Sequence, residues 1–120
     1  MNEITLNGIV YVPKAEAEEA KAKQLDGMDY VIVRTYSAGV HAGYLENQNG
    51  KEVTLRNSRR LWKWAGAFTL SELAKIGATK PSECKFATTL GKILLTEAIE
   101  IIYCSEKARG SIEGVVDYQC

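Results

Sequence analysis

The stretch "VHAGYLENQNGKEVTLRNSRRLW", residues Val40 to Trp62, decides the architecture. "GVHAGYLE" reads as a strand, and Gln48-Asn49-Gly50 follows it as a turn, because an Asn-Gly pair accepts the positive φ angles of a tight hairpin. The chain returns as "KEVTLRNSRRLWKW", a second strand with valine and leucine at alternate positions. Strict alternation puts Val53, Leu55, Asn57, Arg59 and Leu61 on one side of this strand. Thr54, Arg56, Ser58, Arg60 and Trp62 fall on the other. Neither side stays apolar from Asn57 to Arg60. The strand is therefore expected to break or leave the sheet there, and such interruptions are where function gathers.

Outward from this hairpin, "DYVIVRTY" is a preceding strand dense in β-branched and aromatic residues. "TLSELAKIG" is a short helix with Thr69 or Ser71 as N-cap, Glu72 in the first turn and Gly77 as its stop. "CKFATT" and "KILLTEAIEIIYC" read as two more strands, the second long. "SEKARGSIEG" is a helical turn or two opened by Ser105, and "VVDYQ" a terminal strand. Glycines at Gly39, Gly43 and Gly50 suit strands that bend sharply. The pattern resembles the bent second and third strands of an SH3-like or Sm-like barrel. The fold class expected is α+β: a small, strongly bent antiparallel β-barrel with one or two short helices. Residues 1–28 form an N-terminal hairpin ("ITLNGIVYVP") and a charged helix or arm; residues 29–120 form the β-rich core domain.

Fifteen basic and fifteen acidic residues cancel. A neutral chain has no global field to collect DNA or RNA, so a polyanionic ligand needs a local patch. Cys84, Cys104 and Cys120 are odd in number and widely spaced, and with a single histidine they form neither a zinc motif nor a disulfide framework. Idle or buried thiols in a reducing cytosol are expected. No signal peptide is readable and no apolar run approaches the roughly 18 residues of a membrane helix. A cytoplasmic location follows, with no cofactor and no metal.

The local patch is "LRNSRRLWKWAGA", residues 55–67, where Arg56, Arg59, Arg60, Lys63, Trp62 and Trp64 occur with no acid among them. Guanidinium groups fork onto phosphate oxygens, and tryptophan stacks on a base or covers a ribose. The competing reading buries the tryptophans in a core or interface and pairs the arginines with acids such as Glu46 and Glu52. Arg59 and Arg60 are expected at an exposed surface, where alanine costs the fold about 0.5 kcal/mol or less. Trp62 and Trp64 are expected on one face. "RTYSAGVHAG" adds Arg34, Tyr36, Ser37 and His41 around a turn whose backbone amides can form an anion nest. Neither a P-loop nor a dinucleotide fingerprint is present, and nothing specifies a nucleophile or an orienting carboxylate for His41. The chain is not expected to be an enzyme.

The runs "VRTYSAGV", "GYLE", "RRLWKW" and "LTEAIEII" resemble a family of small tailed-phage and prophage proteins with no assigned activity, over roughly residues 29 to 116. The resemblance implies a phage product acting in the bacterial host cytoplasm and carries over no catalytic residue. Small phage proteins of this kind include anti-defence sponges that trap cyclic nucleotides or ADP-ribose derivatives. The leading functional expectation is a homo-oligomeric protein sequestering a small phosphorylated nucleotide. The alternatives are a protein–protein inhibitor of a host defence protein, an Sm-like nucleic-acid-binding module, and a nucleotide hydrolase without visible machinery.

Open sheet edges and the apolar length of "KILLTEAIEIIYC" favour self-association. Light scattering coupled to size exclusion should give a mass of at least two chains; a monomer at tens of micromolar would refute this.

Overall fold

The computed structural model describes residues 22–118. The expected hairpin at residues 4–13, and all but the end of the charged helix, lie outside them. Strand β1 (Tyr30–Thr35) is followed by β2 (Val40–Asn49), β3 (Glu52–Lys63), helix α1 (Leu70–Ile76) and a 3₁₀ turn (Pro81–Glu83). Strands β4 (Lys85–Phe86), β5 (Leu90–Leu95) and β6 (Ala98–Tyr103) and helix α2 (Glu106–Gly114) complete the domain. All strand pairs are antiparallel, in the order β4-β3-β2-β1-β6, with β5 pairing the same edge of β3 further towards its start.

Both helices begin where their hydroxyl caps place them. Thr69, not Ser71, caps α1 by accepting from the Glu72 amide at 3.1 Å, and Gly77 at φ 81° ends it. Ser105 caps α2 by accepting from the Ala108 amide at 3.1 Å. Three expected strands differ. "KILLTEAIEIIYC" is broken at Thr96-Glu97 into β5 and β6, which pair with opposite edges of the sheet. "CKFATT" contributes only two strand residues. Of the tail "VVDYQ", the described residues 115–118 make a single bridge, Phe86 to Asp117, instead of a strand.

The break between β5 and β6 bends the sheet. Leu95 and Ala98 are three Cα steps apart, about 11 Å at most. Four strand spacings in a flat sheet would hold these two edges roughly 19 Å apart. The sheet must curl to bring them together, and the Ala98 amide bonds the Lys51 carbonyl at 3.0 Å beside the hairpin tip. The result is a six-stranded antiparallel sheet with two helices, strongly bent but not closed: no ladder joins β5 to β6 among the described residues.

Curling gives the sheet two buried faces. Val31, Val33, Val53, Leu55 and Leu95 pack on the enclosed face, joined by Ile93 of β5 and Ile101 of β6. Tyr30, Ile32, Ala42, Tyr44 and Leu61 pack on the other face against Leu73 of α1, Ala108 and Ile112 of α2, and Phe86. Burial on both sides explains the unbroken apolar run of β1. Ala22, Leu25 and Met28 also pack against the helix-side core.

The expected interruption at Asn57 is real but does not end the strand. Asn57 takes φ 49°, and Asn57 and Ser58 together face the single residue Gly43. This β-bulge inverts the alternation beyond it. Arg59 and Leu61 therefore lie on the helix side, opposite to Val53 and Leu55, while Ser58, Arg60 and Trp62 join the enclosed side. Gly43 is the residue that fits here, since a Cβ on it would come within 2.8 Å of the Ser58 Cβ.

Inversion turns Arg59 inward, which corrects its expected exposure: the residue is 3% exposed. Its Nε donates to the Ala87 carbonyl at 2.8 Å. Nη1 donates to the carbonyls of Ile112 and Val115 at 3.0 and 2.7 Å. Nη2 pairs with Asp117 at 3.0 Å, and the guanidinium lies over the Phe86 ring, 5.3 Å from its centroid. A buried guanidinium is tolerated only with its donors engaged in this way. Arg59→Ala should accordingly cost about 3–5 kcal/mol in urea denaturation, because it strands buried carbonyls and an acid. Arg59→Lys should rescue little, since an ammonium cannot fork across these acceptors. Arg60→Ala should cost about 0.5 kcal/mol or less. Equal, small losses for both arginines would refute the assignment.

Candidate functional site

The bulge and the bend together create a cavity of ≈ 210 Å³ at one end of the enclosed face. It is lined by His41, Ser58, Arg60 and Trp62 from β2 and β3, by Ala87 and Thr88, and by Leu90 and Ile93 from β5. His41 lies opposite Arg60 across the β2–β3 ladder, and Ser58 lies opposite Leu90 across the β3–β5 ladder. Of the nine residues expected at a binding site, three meet here: His41, Arg60 and Trp62.

His41 is buried, 2% exposed, with Nε2 3.0 Å from the Ala38 carbonyl. A carbonyl only accepts, so Nε2 carries the proton and Nδ1 is left as an acceptor when the ring is neutral. Burial lowers the His41 pKa below its ordinary value. The Ala38 hydrogen bond opposes that shift and the Arg60 charge adds to it. The ring is therefore neutral at pH 7. Arg60 is exposed at the rim, and among the described residues it has no ion-pair partner. Trp62 is 55% exposed and meets the Tyr118 ring edge-on, with centroids 6.1 Å apart. Ser58 is 1% exposed, and among the described residues its Oγ, closed off from solvent, has no hydrogen-bond partner. The arrangement offers a flat apolar surface with a cation at its rim. Among the described residues no carboxylate orients His41, and no group of three or more His, Cys, Asp or Glu is placed to hold a metal.

The other expected site residues lie elsewhere. Arg34 pairs with Glu100 at 3.0 Å across the β1–β6 ladder. Ser37 donates to Glu97 at 2.5 Å. Tyr36, 80% exposed, borders a separate shallow cleft with Lys51, Glu97 and Ile99. Arg56 is exposed and within 3.9 Å of Glu46, the acid expected to pair with this cluster. Arg59 is enclosed by backbone, as described above. Trp64 is partly buried against the helix-side core, so the two tryptophans do not share a face as expected. Trp64 lies just beyond the end of β3, where the alternation no longer holds. Cys84 and Cys104 are buried free thiols, and burial pushes Cys104 up to about 12.

Sequence reasoning missed Ser58, Leu90 and Ile93 as site residues. The signal for Ser58 was the asparagine before it, a residue that tolerates the left-handed conformation and so marks a bulge within a strand. Nothing local marks Leu90 or Ile93, which reach the cavity only because β5 pairs with β3.

Residues 28–112 match a family described as a domain of unknown function (DUF6948). No curated protein and no solved structure matches the chain.

The depressed pKa of His41 fixes a pH response. Between the lowered folded value and the ordinary value of 6.5, the unfolded chain binds more protons than the folded one. The stabilisation from a neutral His41 is thus complete above about pH 6.5 and is lost as pH falls through the folded value. Melting temperature should decline below about pH 6.5, and His41→Asn should flatten that part of the profile. An unchanged slope in the variant would refute the buried neutral assignment.

Proposed function

This chain belongs to the family described as a domain of unknown function (DUF6948), and we propose that it is a non-enzymatic binding protein that sequesters a small phosphorylated nucleotide. The observation that carries the reading is the convergence of Arg60 and Trp62 on one apolar cavity, a cation and a stacking surface at the same rim. Charge-assisted bonds to phosphate and stacking on an aromatic face are the two contributions a nucleotide needs. A neutral His41, with no orienting carboxylate among the described residues, favours retention over turnover.

In this reading the bent sheet is a variant of the SH3-like barrel, left open beside its last strands, and the cavity occupies its mouth. The ligand belongs to the class of cyclic nucleotides and ADP-ribose derivatives, and the chain acts as a phage anti-defence protein in the host cytoplasm. That context is supported by the resemblance in wording to small phage proteins. A homo-oligomer suits it, because ≈ 210 Å³ is less than the roughly 300–1,000 Å³ of pockets that enclose a whole ligand. A second copy would supply the remaining walls. No helix among the described residues is long and apolar enough to cross a membrane. Inhibition of a host defence protein is the alternative, favoured by the exposed Tyr36, Phe68, Ile99 and Tyr103.

Thermal-shift screening of the intact chain against mononucleotides, cyclic nucleotides and ADP-ribose tests the proposal. A ligand at a hundred times its Kd should add about 2.7 kcal/mol of stability. Arg60→Ala should weaken binding about tenfold or more while leaving the ligand-free melt unchanged. A flat panel would overturn the reading, and a captured host protein that the Arg60 variant still binds would favour the alternative.

A further inference from the structure

Resting on the nucleotide reading, we infer that the ligand is a dinucleotide. One nucleoside takes the cavity at Arg60 and Trp62, the linking phosphate lies against Lys85 and Lys63, and the second nucleoside takes a further cavity beside Tyr118. The Tyr118 ring meets Trp62 edge-on, with centroids 6.1 Å apart, and Trp62 lines the cavity of ≈ 210 Å³. Tyr118 itself lines a second cavity of ≈ 480 Å³, with Pro81, Ser82, Cys84, Val116 and Asp117. The two rings are thus a ridge between two recesses, and both are open to solvent, Trp62 by 55% and Tyr118 by 40%. The ridge is held in place. The Tyr118 amide donates to the Phe86 carbonyl at 2.9 Å, and the residue before it, Asp117, pairs with Arg59 at 3.0 Å.

Charge is concentrated at the ridge. Lys85 holds its Nζ 5.2 Å from the Tyr118 ring centroid, a cation over an aromatic face. Lys63 is its partner across the β3–β4 ladder, and like charges set directly opposite one another destabilise a sheet. Both lysines are exposed, and among the described residues neither has an ion-pair partner. The fold gains nothing from this juxtaposition, whereas an anion seated against the pair relieves its repulsion. With Arg60 it forms the local cationic patch that a chain of zero net charge needs to collect a phosphate. The second recess is different. Asp117 is the one charged residue in its described lining, and that carboxylate is committed to Arg59. A phosphate placed there would meet an acid and no cation, so the recess suits an uncharged ring.

A neutral ring, a phosphate and a second neutral ring, in that order, is the pattern of a dinucleotide. A mononucleotide fills one recess and leaves the other empty. Joining the two units makes the second contact intramolecular, which raises affinity above that of either unit alone. Lys85 and Tyr118 come from "CKFATT" and "VVDYQ", far from the basic stretch in sequence. They reach it because β4 pairs with the end of β3 and the tail bonds to Phe86.

Calorimetric titration of the intact chain with matched probes tests the inference: adenosine 5′-monophosphate against adenylyl-(3′→5′)-adenosine, uridine 5′-monophosphate against uridylyl-(3′→5′)-uridine, and cyclic AMP against cyclic di-AMP. At least one dinucleotide should bind about tenfold or more tightly than its mononucleotide. The linear pairs are the stringent ones, because each linear dinucleotide carries less negative charge than its mononucleotide and would bind more weakly if charge alone decided. Tyr118→Ala should bring the dinucleotide to the level of the mononucleotide, leave the mononucleotide unchanged, and be rescued by Tyr118→Phe. Lys85→Gln should weaken the dinucleotide about tenfold with the ligand-free melt unchanged. Mononucleotides that bind as tightly as every dinucleotide, or dinucleotide binding that neither Tyr118→Ala nor Lys85→Gln alters, would overturn this inference and leave the nucleotide reading standing. Failure of all six probes, with ADP-ribose also inert, would overturn both.

Discussion

One buried guanidinium holds the parts of this domain together. Arg59 rises from the centre of the sheet and engages the end of α2 through Ile112 and Val115, the loop after β4 through Ala87, and the tail through Asp117. Two of these acceptors lie at the C-terminal end of a helix, where unsatisfied carbonyls concentrate negative charge and a cation is favoured. The arginine thus meets a need the helix has and the sheet alone could not supply. Removing a charge from water is costly, so the position holds only while all these acceptors stay in place. Sheet, helix and tail, already packed through the helix-side core, all meet at this one side chain.

The bulge is what makes that side chain available. Without the extra residue at Asn57, Arg59 would point into the enclosed face among Val53, Leu55 and Val33, where nothing could receive it. With the bulge, the charge goes to the helix side, and Ser58, Arg60 and Trp62 go to the enclosed side. Core and candidate site are therefore consequences of the same backbone irregularity. Asn57 pays the conformational cost with a positive φ that few other residues accept.

Bending completes the site. A two-residue link between strands on opposite edges forces the sheet to curl, and β5, paired with β3, places Leu90 and Ile93 at the cavity. A flat sheet with the same pairings along β2 and β3 would present His41, Arg60 and Trp62 on an open surface. Enclosure converts a row of side chains into a recess with Arg60 at its rim, the geometry on which the proposed anionic ligand with an apolar body rests.

Much of this fold was legible in the chain. The Asn49-Gly50 turn, the hydroxyl caps at Thr69 and Ser105, the Gly77 stop and the apolar run of β1 are written in adjacent residues, because turn and capping chemistry acts over three or four positions. The same local logic flagged Asn57 to Arg60 as an irregularity and the Arg/Trp cluster as a candidate site. What it could not assign was direction. Arg59 and Arg60 are neighbours with identical side chains, yet one is enclosed by acceptors 28 to 58 residues further along the chain and the other faces a cavity. Trp62 and Trp64 part company for the same reason. The sequence determined the hairpin, the helix caps and the first apolar strand; the tertiary structure decided where the later strands break and which face each side chain meets, because that depends on a bulge and on partners that only folding brings together.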